Sequence, residues 1–195
     1  MTRRRDTTPG PDPEQEMLNA VVPALKTHGV NVPVDRLMSS AGLTSGALYS
    51  HFKNKEDLCN RAIGVALDQL VAWWRQALEK HGENGLRVIV DDYLDEAHLV
   101  GVADGCPLAA LGSDMAKASA TAKRAFETRT QVLLGLIAEN LASGTPTARR
   151  VRAQYILSTM LGAVTLARTM HDPIAINDLL AHVRSSLQAE LRRSS

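Results

Sequence analysis

The chain has 195 residues, 45% of them hydrophobic, and a formal net charge of +1. This length allows one or two domains with a packed core, and the sequence contains no apolar run that would span a membrane, so we expect no membrane partner. The two cysteines, Cys59 and Cys106, are too few and too far apart for a disulfide scaffold or a zinc site. We therefore expect a cytoplasmic protein without metal or cofactor, in which any basic surface is local.

The residue composition predicts an all-α fold. Helix-forming residues such as Ala, Leu, Arg, Glu and Gln are abundant, whereas runs of β-branched residues are nearly absent. The order of start signals, apolar stripes and stop signals along the chain indicates about nine helices and no internal repeat.

Three predicted helices come first. Asp12 is a helix N-cap followed by a proline, and Gly29 ends that helix. A second helix covers residues 33–40 and stops at Ala41-Gly42, and the third covers 44–51. Two helices joined by a tight turn with glycine form the geometry in which the second helix enters the major groove of DNA.

Longer helices follow. Asn54 is an N-cap with an acidic residue three positions later, and the helix that it starts ends near residues 81–82. The next apolar stripe covers residues 86–97, and 101–105 form a loop. The remaining helices begin at Pro107, near residue 120, after the break at 143–146 and at Asp172-Pro173.

The stretch AGLTSGALYSHFKNKEDL, residues 41–58, gathers groups that bind DNA. Gly46 is small enough to allow a close approach, while hydroxyl and imidazole groups bond phosphates or base edges. Lysines beside the start of the next helix attract phosphate. The alternative is that the tyrosine and histidine only pack the small domain. The candidate DNA-binding residues are Thr44, Ser45, Ala47, Tyr49, Ser50, His51, Lys53 and Lys55.

Residues 14–58 resemble the DNA-binding domain of TetR-family transcriptional regulators. The family pattern Gly-Val-Ser-Lys-Gly-x-Leu-Tyr-x-His-Phe, then Lys-Glu-x-Leu, corresponds to GLTSGALYSHF at 42–52 and KEDL at 55–58. Ser45 replaces the family's lysine, and Val32-Pro33 replaces a capping threonine pair, so two phosphate contacts are lost. The resemblance implies phosphate contacts from Thr44, Tyr49, His51 and Lys55, base contacts from Ser45, Ala47 and Ser50, and core positions for Leu48 and Phe52.

The resemblance also implies a division of the chain. We expect a flexible basic N-terminal arm (1–12), a three-helix helix-turn-helix DNA-binding domain (13–55) and a helical ligand-binding and dimerisation domain (56–195). In the arm, Arg3, Arg4 and Arg5 either reach a minor groove or form a solvated tail.

Family members bind a small-molecule effector among their central helices. With few polar groups in these stripes, we expect a mostly apolar or aromatic effector, although each candidate residue is equally consistent with plain core. The candidate ligand-binding residues are Trp73, Trp74, Tyr93, His98, Met115, Phe126 and Tyr155.

The last two predicted helices carry a homodimer interface in the family, and a dimer would read the two halves of a palindromic double-stranded DNA operator. Small residues permit close helix crossing, and an apolar stripe suits a four-helix bundle with the partner. The same stripes would also serve the core of one subunit. The candidate interface residues are Gly162, Ala163, Ala167, Ile176, Leu180, Val183 and Leu187.

We therefore expect the protein to be a DNA-binding transcriptional regulator and not an enzyme. More specifically, we expect a repressor that a small ligand releases from its operator. Two alternatives remain open. Cys106, at the N-cap of a helix, is a redox candidate if the helix favours its thiolate, and the regulator would then sense oxidants or electrophiles. A helical interaction module that no longer binds DNA is the other. A small enzyme built on His98 and Cys106, or on Glu127 and His171, lacks any recognisable catalytic spacing.

Overall fold

A computed structural model of the protein describes residues 12–193, apart from the side chain of residue 97, so the predicted arm with Arg3, Arg4 and Arg5 lies outside the described residues. Within this range the chain forms ten α-helices and one 3-10 turn, Gly82–Asn84, without a strand, which confirms the predicted all-α fold. The helices are α1 (Pro13–His28), α2 (Val34–Ser40), α3 (Ser45–His51), α4 (Lys55–His81), α5 (Gly85–Tyr93), α6 (Glu96–Val100), α7 (Pro107–Ala116), α8 (Ala120–Glu139), α9 (Pro146–Ala167) and α10 (Pro173–Arg192).

Local capping chemistry explains where most of these helices begin. The Asp12 carboxylate accepts a hydrogen bond from the Glu14 amide at 3.1 Å, and the Asn54 side chain accepts one from the Asp57 amide at 2.9 Å. Asp172 caps α10 in the same way. Each bond satisfies an amide that the first turn of a helix leaves without a partner, so these three predicted starts are confirmed.

The tenth helix arises because the stripe predicted over residues 86–97 is divided at Leu94 and Asp95. Arginines from distant helices bond the carbonyls where each piece ends. Arg184 of α10 donates to the Leu94 carbonyl, and Arg168, the C-cap residue that follows α9, donates to the Leu99 carbonyl at 3.2 Å. These partners lie far away in sequence, so local periodicity does not reveal the break.

Two apolar clusters share the helix α4. The smaller cluster joins α1, α2 and α3 to the first half of α4, where Leu58 and Ala62 are fully buried. The larger cluster joins α5 to α10 to the rest of α4, which contributes the buried side chains of Leu67 and Trp74. Because one rigid helix belongs to both, a displacement of α4 in one cluster is transmitted to the other. None of the helices within residues 12–193 is both long and apolar enough to cross a membrane.

The end of α1 also contacts the helices of the larger cluster directly. Gly29 adopts a φ of +74°, and a Cβ at this position would lie 2.7 Å from an Asp114 carboxylate oxygen, so both the backbone and the space require glycine. The same Asp114 carboxylate accepts a hydrogen bond from the Val30 amide at 2.9 Å. Nearby, the Lys26 ammonium donates to the carbonyl of Gly105 at 3.1 Å.

The burial of α9 and α10 corrects part of the predicted dimer interface. Ala163, Ala167, Leu180 and Leu187 all lie in the core of this chain and present almost no surface to a partner. Apolar residues occur on both the buried and the exposed sides of α9, so its sequence pattern could not distinguish the face that packs inward. Gly162 is exposed, and Ile176 and Val183 are half-buried, so these three remain predictions.

An ion pair joins the end of α10 to α9. Arg152 donates to the Glu190 carboxylate at 2.6 Å and to the Glu190 carbonyl at 2.7 Å, and the side chain of Glu190 is only 13% exposed. Burial would raise the pKa of the Glu190 carboxyl, but hydrogen bonds from Arg152 and Arg193 outweigh burial and hold that pKa below its ordinary value. Deprotonated Glu190 therefore stabilises the fold above the pKa of the unfolded chain, and this contribution is lost as the pH falls through the lowered pKa.

We predict that Glu190→Gln lowers the free energy of unfolding by about 1 kcal/mol at neutral pH, because the charge-assisted bonds are lost. The difference from the wild type should shrink as the pH falls below about 4. Urea unfolding at matched protein concentration and several pH values measures both. Glu79→Gln, on the exposed face of α4, is the control and should change stability little. A difference that stays constant across pH would contradict the assignment.

Candidate nucleic-acid interface and effector cavity

The helices α2 and α3 form a helix-turn-helix. Gly42 adopts a φ of +71° in the turn, and the Leu43 amide donates back to the Met38 carbonyl at 2.8 Å. The left-handed backbone at Gly42 reverses the chain within a few residues. Leu48 is fully buried and Phe52 is 4% exposed, so both anchor α3 to the core, as the sequence implies.

One face of α3 and the segment after it point away from this core. Tyr49 is 65% exposed, although a large aromatic side chain is seldom left in water without a partner. The interpretation of Tyr49 as a packing residue is therefore wrong. The other exposed members of the predicted set are Thr44, Ser50, His51 and Lys53.

Three predicted residues are less available than the sequence suggests. The Ser45 hydroxyl is half-buried and donates to the carboxylate of Asp35 on α2. Ala47 is half-buried and packs against the core. The Ser50 hydroxyl, though exposed, donates to the Ala47 carbonyl within its own helix at 2.8 Å. Predicted base contacts by Ser45 and Ala47 are therefore not favoured by this geometry, and Gly46 and Tyr49 are the more accessible positions.

The start of α4 completes the surface. The Lys53 amide donates to the Asp57 carboxylate at 3.1 Å, which fixes the turn between α3 and α4. Lys55 is half-buried at the first position of α4, next to the amides of its first turn. Arg61 lies 5.2 Å from the centre of the Phe52 ring and pairs with Glu14 of α1, so the three helices are tied together behind the exposed face. This face combines cations, hydroxyls and a helix N-terminus, the groups that bind phosphate.

Residues 22–62 match the model of the family described as bacterial regulatory proteins, tetR family. This match runs from the middle of α1 to the first turns of α4 and covers the whole helix-turn-helix and its core.

Solved structures of low sequence identity share the fold of most of this chain. A TetR transcriptional regulator from Legionella pneumophila has a TM-score of 0.75 at 16% identity, covering 92% of this chain and 97% of the other. A TetR-family regulator from Cytophaga hutchinsonii has a TM-score of 0.76 at 14% identity, covering 91% and 92%. The regulator FadR from Bacillus subtilis, solved with stearoyl-CoA, has a TM-score of 0.66 at 17% identity, covering 91% and 97%. No curated protein sequence matches the chain significantly.

A cavity of about 370 Å³ opens between α1, α4, α5, α6 and the loop before α7. It brings together Trp73, Tyr93 and His98 of the predicted effector residues. The Tyr93 and His98 rings lie 4.4 Å apart between centres. Lys26 of α1 also lines the cavity, so the DNA-binding unit contributes directly to its wall.

Two buried polar atoms at this cavity have no hydrogen-bond partner among the described residues 12–193. They are the Tyr93 hydroxyl and the His98 Nε2 atom. Burial raises the pKa of Tyr93, next to Cys106, and burial together with the charges of Arg168 and Lys26 lowers the pKa of His98. Both side chains are therefore neutral at physiological pH. An unpaired buried polar group is costly, and a bound molecule would relieve that cost.

The other predicted effector residues lie elsewhere. Trp74 is 1% exposed in the core, and Tyr155 is 49% exposed on the outer face of α9, so neither lines this cavity. Met115 lines a second cavity of about 330 Å³ between the start of α4 and α7. Phe126 lies with Met115 in an open groove along α8. The predicted effector residues therefore do not form one site: some line a cavity, some lie in the core and some lie on the surface.

Sequence reasoning missed several polar residues of the first cavity. Lys26 and Asp104 line it, while Arg168 lies behind His98 and donates to the His98 carbonyl at 3.3 Å. These residues are isolated charges on otherwise ordinary helices and loops. No local signal could have found them, because 79 residues separate Lys26 from its partner Gly105. Within residues 12–193 no three His, Cys, Asp or Glu side chains are grouped to hold a metal ion.

The environment of Cys106 opposes the predicted reactive thiolate. It is the N-cap of α7, as the sequence indicates, but it is 2% exposed. Burial raises the pKa of the Cys106 thiol, and the nearby Tyr93 side chain and the first amides of α7 do not offset this effect. Burial also raises the pKa of Cys59 to about 11. Desolvation outweighs the helix dipole at Cys106, so the thiol form is favoured.

We predict that both thiols of the folded protein react with Ellman's reagent at least about tenfold more slowly than the thiols of the unfolded chain at neutral pH. The Cys59→Ala variant reports on Cys106 alone, and Cys106→Ala reports on Cys59. The rate for the folded protein should rise as the pH is raised toward the elevated pKa values. Rapid reaction of the Cys59→Ala variant at neutral pH would restore the thiol-sensing alternative.

Proposed function

We propose that the protein is a homodimeric regulator that represses transcription from a palindromic operator and leaves it when a small molecule binds. The exposed Tyr49 carries this proposal, because Leu48 and Phe52 hold α3 so that its other face projects into solvent. A short helix anchored in this way can enter a major groove. We further propose that the protein acts without enzymatic chemistry.

Gly46 supports a close approach to the duplex. It lies in the first turn of α3, where glycine costs about 0.5–1 kcal/mol relative to alanine. A Cβ at Gly46 would meet no atom within 4 Å, and the backbone there has no positive φ, so nothing in the fold requires glycine. Close approach of a binding partner would explain why glycine occupies this position. Phosphate contacts from Thr44, Tyr49 and Lys53 on either side would then hold the helix in register.

A continuous exposed face on α9 supports the dimer. Val151, Tyr155 and Leu166 are 59%, 49% and 54% exposed, and exposed Ser158 and Gly162 lie between them at helical spacing. This face is opposite the one that packs into the core. An apolar face with a central glycine suits close packing against its copy around a two-fold axis.

Contacts between α1 and the cavity provide a route from the effector to DNA. Lys26 reaches the Gly105 carbonyl at the cavity wall, and Asp114 holds the amide of Val30. An effector that prefers a different arrangement of these contacts shifts α1 and, with it, α3. The ligand dissociates the repressor only to the extent that it binds the conformer with misplaced α3 more tightly.

We predict that Gly46→Gln abolishes operator recognition without loss of stability. Full-length wild-type protein first selects a duplex from a randomised pool, and affinity for the recovered duplex is measured at several salt concentrations. The wild type should lose affinity as salt rises, because phosphate contacts release counterions. The variant should bind at least about tenfold more weakly with an unchanged melting temperature, since the added side chain has free space in the protein but not at the duplex.

Gly135→Gln is the matched control, since a Cβ at Gly135 in α8 also meets no atom within 4 Å. It should keep the wild-type affinity. If the wild type recovers no duplex at low salt, the protein is instead an interaction module that does not bind DNA. Unchanged affinity of Gly46→Gln would place the interface elsewhere.

For the dimer, we predict that Tyr155→Glu converts the protein to a monomer at micromolar concentration. The substitution brings two carboxylates together near the proposed two-fold axis and removes apolar contact area. Sedimentation equilibrium measures the mass. Gln76→Glu adds the same charge at an exposed position of α4 and should leave the dimer intact. A variant that remains dimeric would remove the α9 face from the interface.

A further inference from the structure

The cavity beside α1 has an apolar wall and a polar end. Trp73, 41% exposed, and Leu70 from α4 form the apolar wall together with the buried Pro107. Lys26, Tyr93 and His98 form the polar end. A flat apolar body with one polar group matches this division.

The polar end offers hydrogen-bond donors rather than acceptors. The Lys26 ammonium carries three donor hydrogens and makes one recorded bond, to the Gly105 carbonyl. The Tyr93 hydroxyl is buried, in a residue only 3% exposed, and has no hydrogen-bond partner within residues 12–193. An oxygen acceptor between these two groups would satisfy both.

The charges around this end favour an anion. Arg168 and Lys26 are close enough to influence His98, and burial of Lys26 lowers its pKa against the opposing effect of Asp104. Asp104 and Asp92 also line the cavity but are exposed to solvent, so water screens them more strongly than the half-buried lysine.

We propose that this cavity binds a small aromatic monocarboxylate, with the carboxylate on Lys26 and Tyr93 and the ring against Trp73. This inference rests on the proposed function for its regulatory consequence, whereas binding itself does not depend on DNA. The volume of about 370 Å³ lies at the low end for ligand pockets and suits one or two fused rings. The His98 imidazole, with a free Nε2 atom, lies beside the Tyr93 ring to complete the polar end.

The test uses three acids and their amides, which have nearly the same shape without the charge. Benzoate, phenylacetate and indole-3-acetate are compared with benzamide, phenylacetamide and indole-3-acetamide. Calorimetry on the full-length protein without DNA gives each affinity. At least one acid should bind about tenfold or more tightly than its amide, because only the acid pairs with Lys26. Equal affinities within each pair, or no binding by any acid, would overturn the proposal.

Two variants test the assigned contacts. Lys26→Met and Tyr93→Phe should each weaken the binding acid about tenfold, and Lys26→Met should leave its amide nearly unaffected. Lys123→Met, at the distant α8 groove, is the control and should keep wild-type affinity. Without ligand, Tyr93→Phe should melt at the same or a higher temperature, since it removes an unpaired buried hydroxyl. Unchanged acid affinity in Lys26→Met would overturn the assignment, and Lys26→Gln repeats the test if that variant does not fold.

The proposed DNA-binding function and the proposed ligand can be contradicted independently of each other. Acid binding together with failure to select any duplex would contradict only the proposed DNA-binding function. Duplex selection with no acid binding would contradict only the ligand assignment.

Discussion

The continuous helix α4 is the constraint on which the rest of the structure depends. Its 27 residues span about 40 Å, and its two halves belong to different apolar clusters. Leu58 lies in the cluster that supports α3, whereas Trp74 lies in the cluster that surrounds the cavity. A helix packed at both ends moves as one body, so the position of α3 cannot be independent of packing around the cavity.

Much of the fold was predictable because its signals are local. The caps at Asp12 and Asn54 and the glycine turn at Gly42 fix helix ends through bonds between near neighbours. Leu48 and Phe52 were identified as core through the family pattern. The division between α5 and α6 was missed because Arg168 and Arg184, far along the chain, satisfy the carbonyls at those ends.

The candidate sites were predictable only in part, for two physical reasons. Helix α9 is apolar on both sides, so periodicity alone could not separate buried Ala163 from the exposed face with Tyr155. The cavity depends on single polar residues, Lys26 and Tyr93, brought together by tertiary packing. Residue type identified Tyr93 as a candidate, but nothing near Lys26 in sequence shows that it reaches a loop 79 residues away.

Because α4 is long, a small rotation of this helix produces a large displacement at its far end. A rotation of about 5° along its length of about 40 Å displaces the far end by about 3.5 Å, close to the rise of one base pair. In the proposed dimer the two α3 helices must match half-sites about 34–36 Å apart, or a multiple of that spacing. A shift of one base pair in each subunit therefore breaks the match. In the proposed mechanism, rearrangement of the Lys26 and Asp114 contacts would supply this displacement without unfolding of α3.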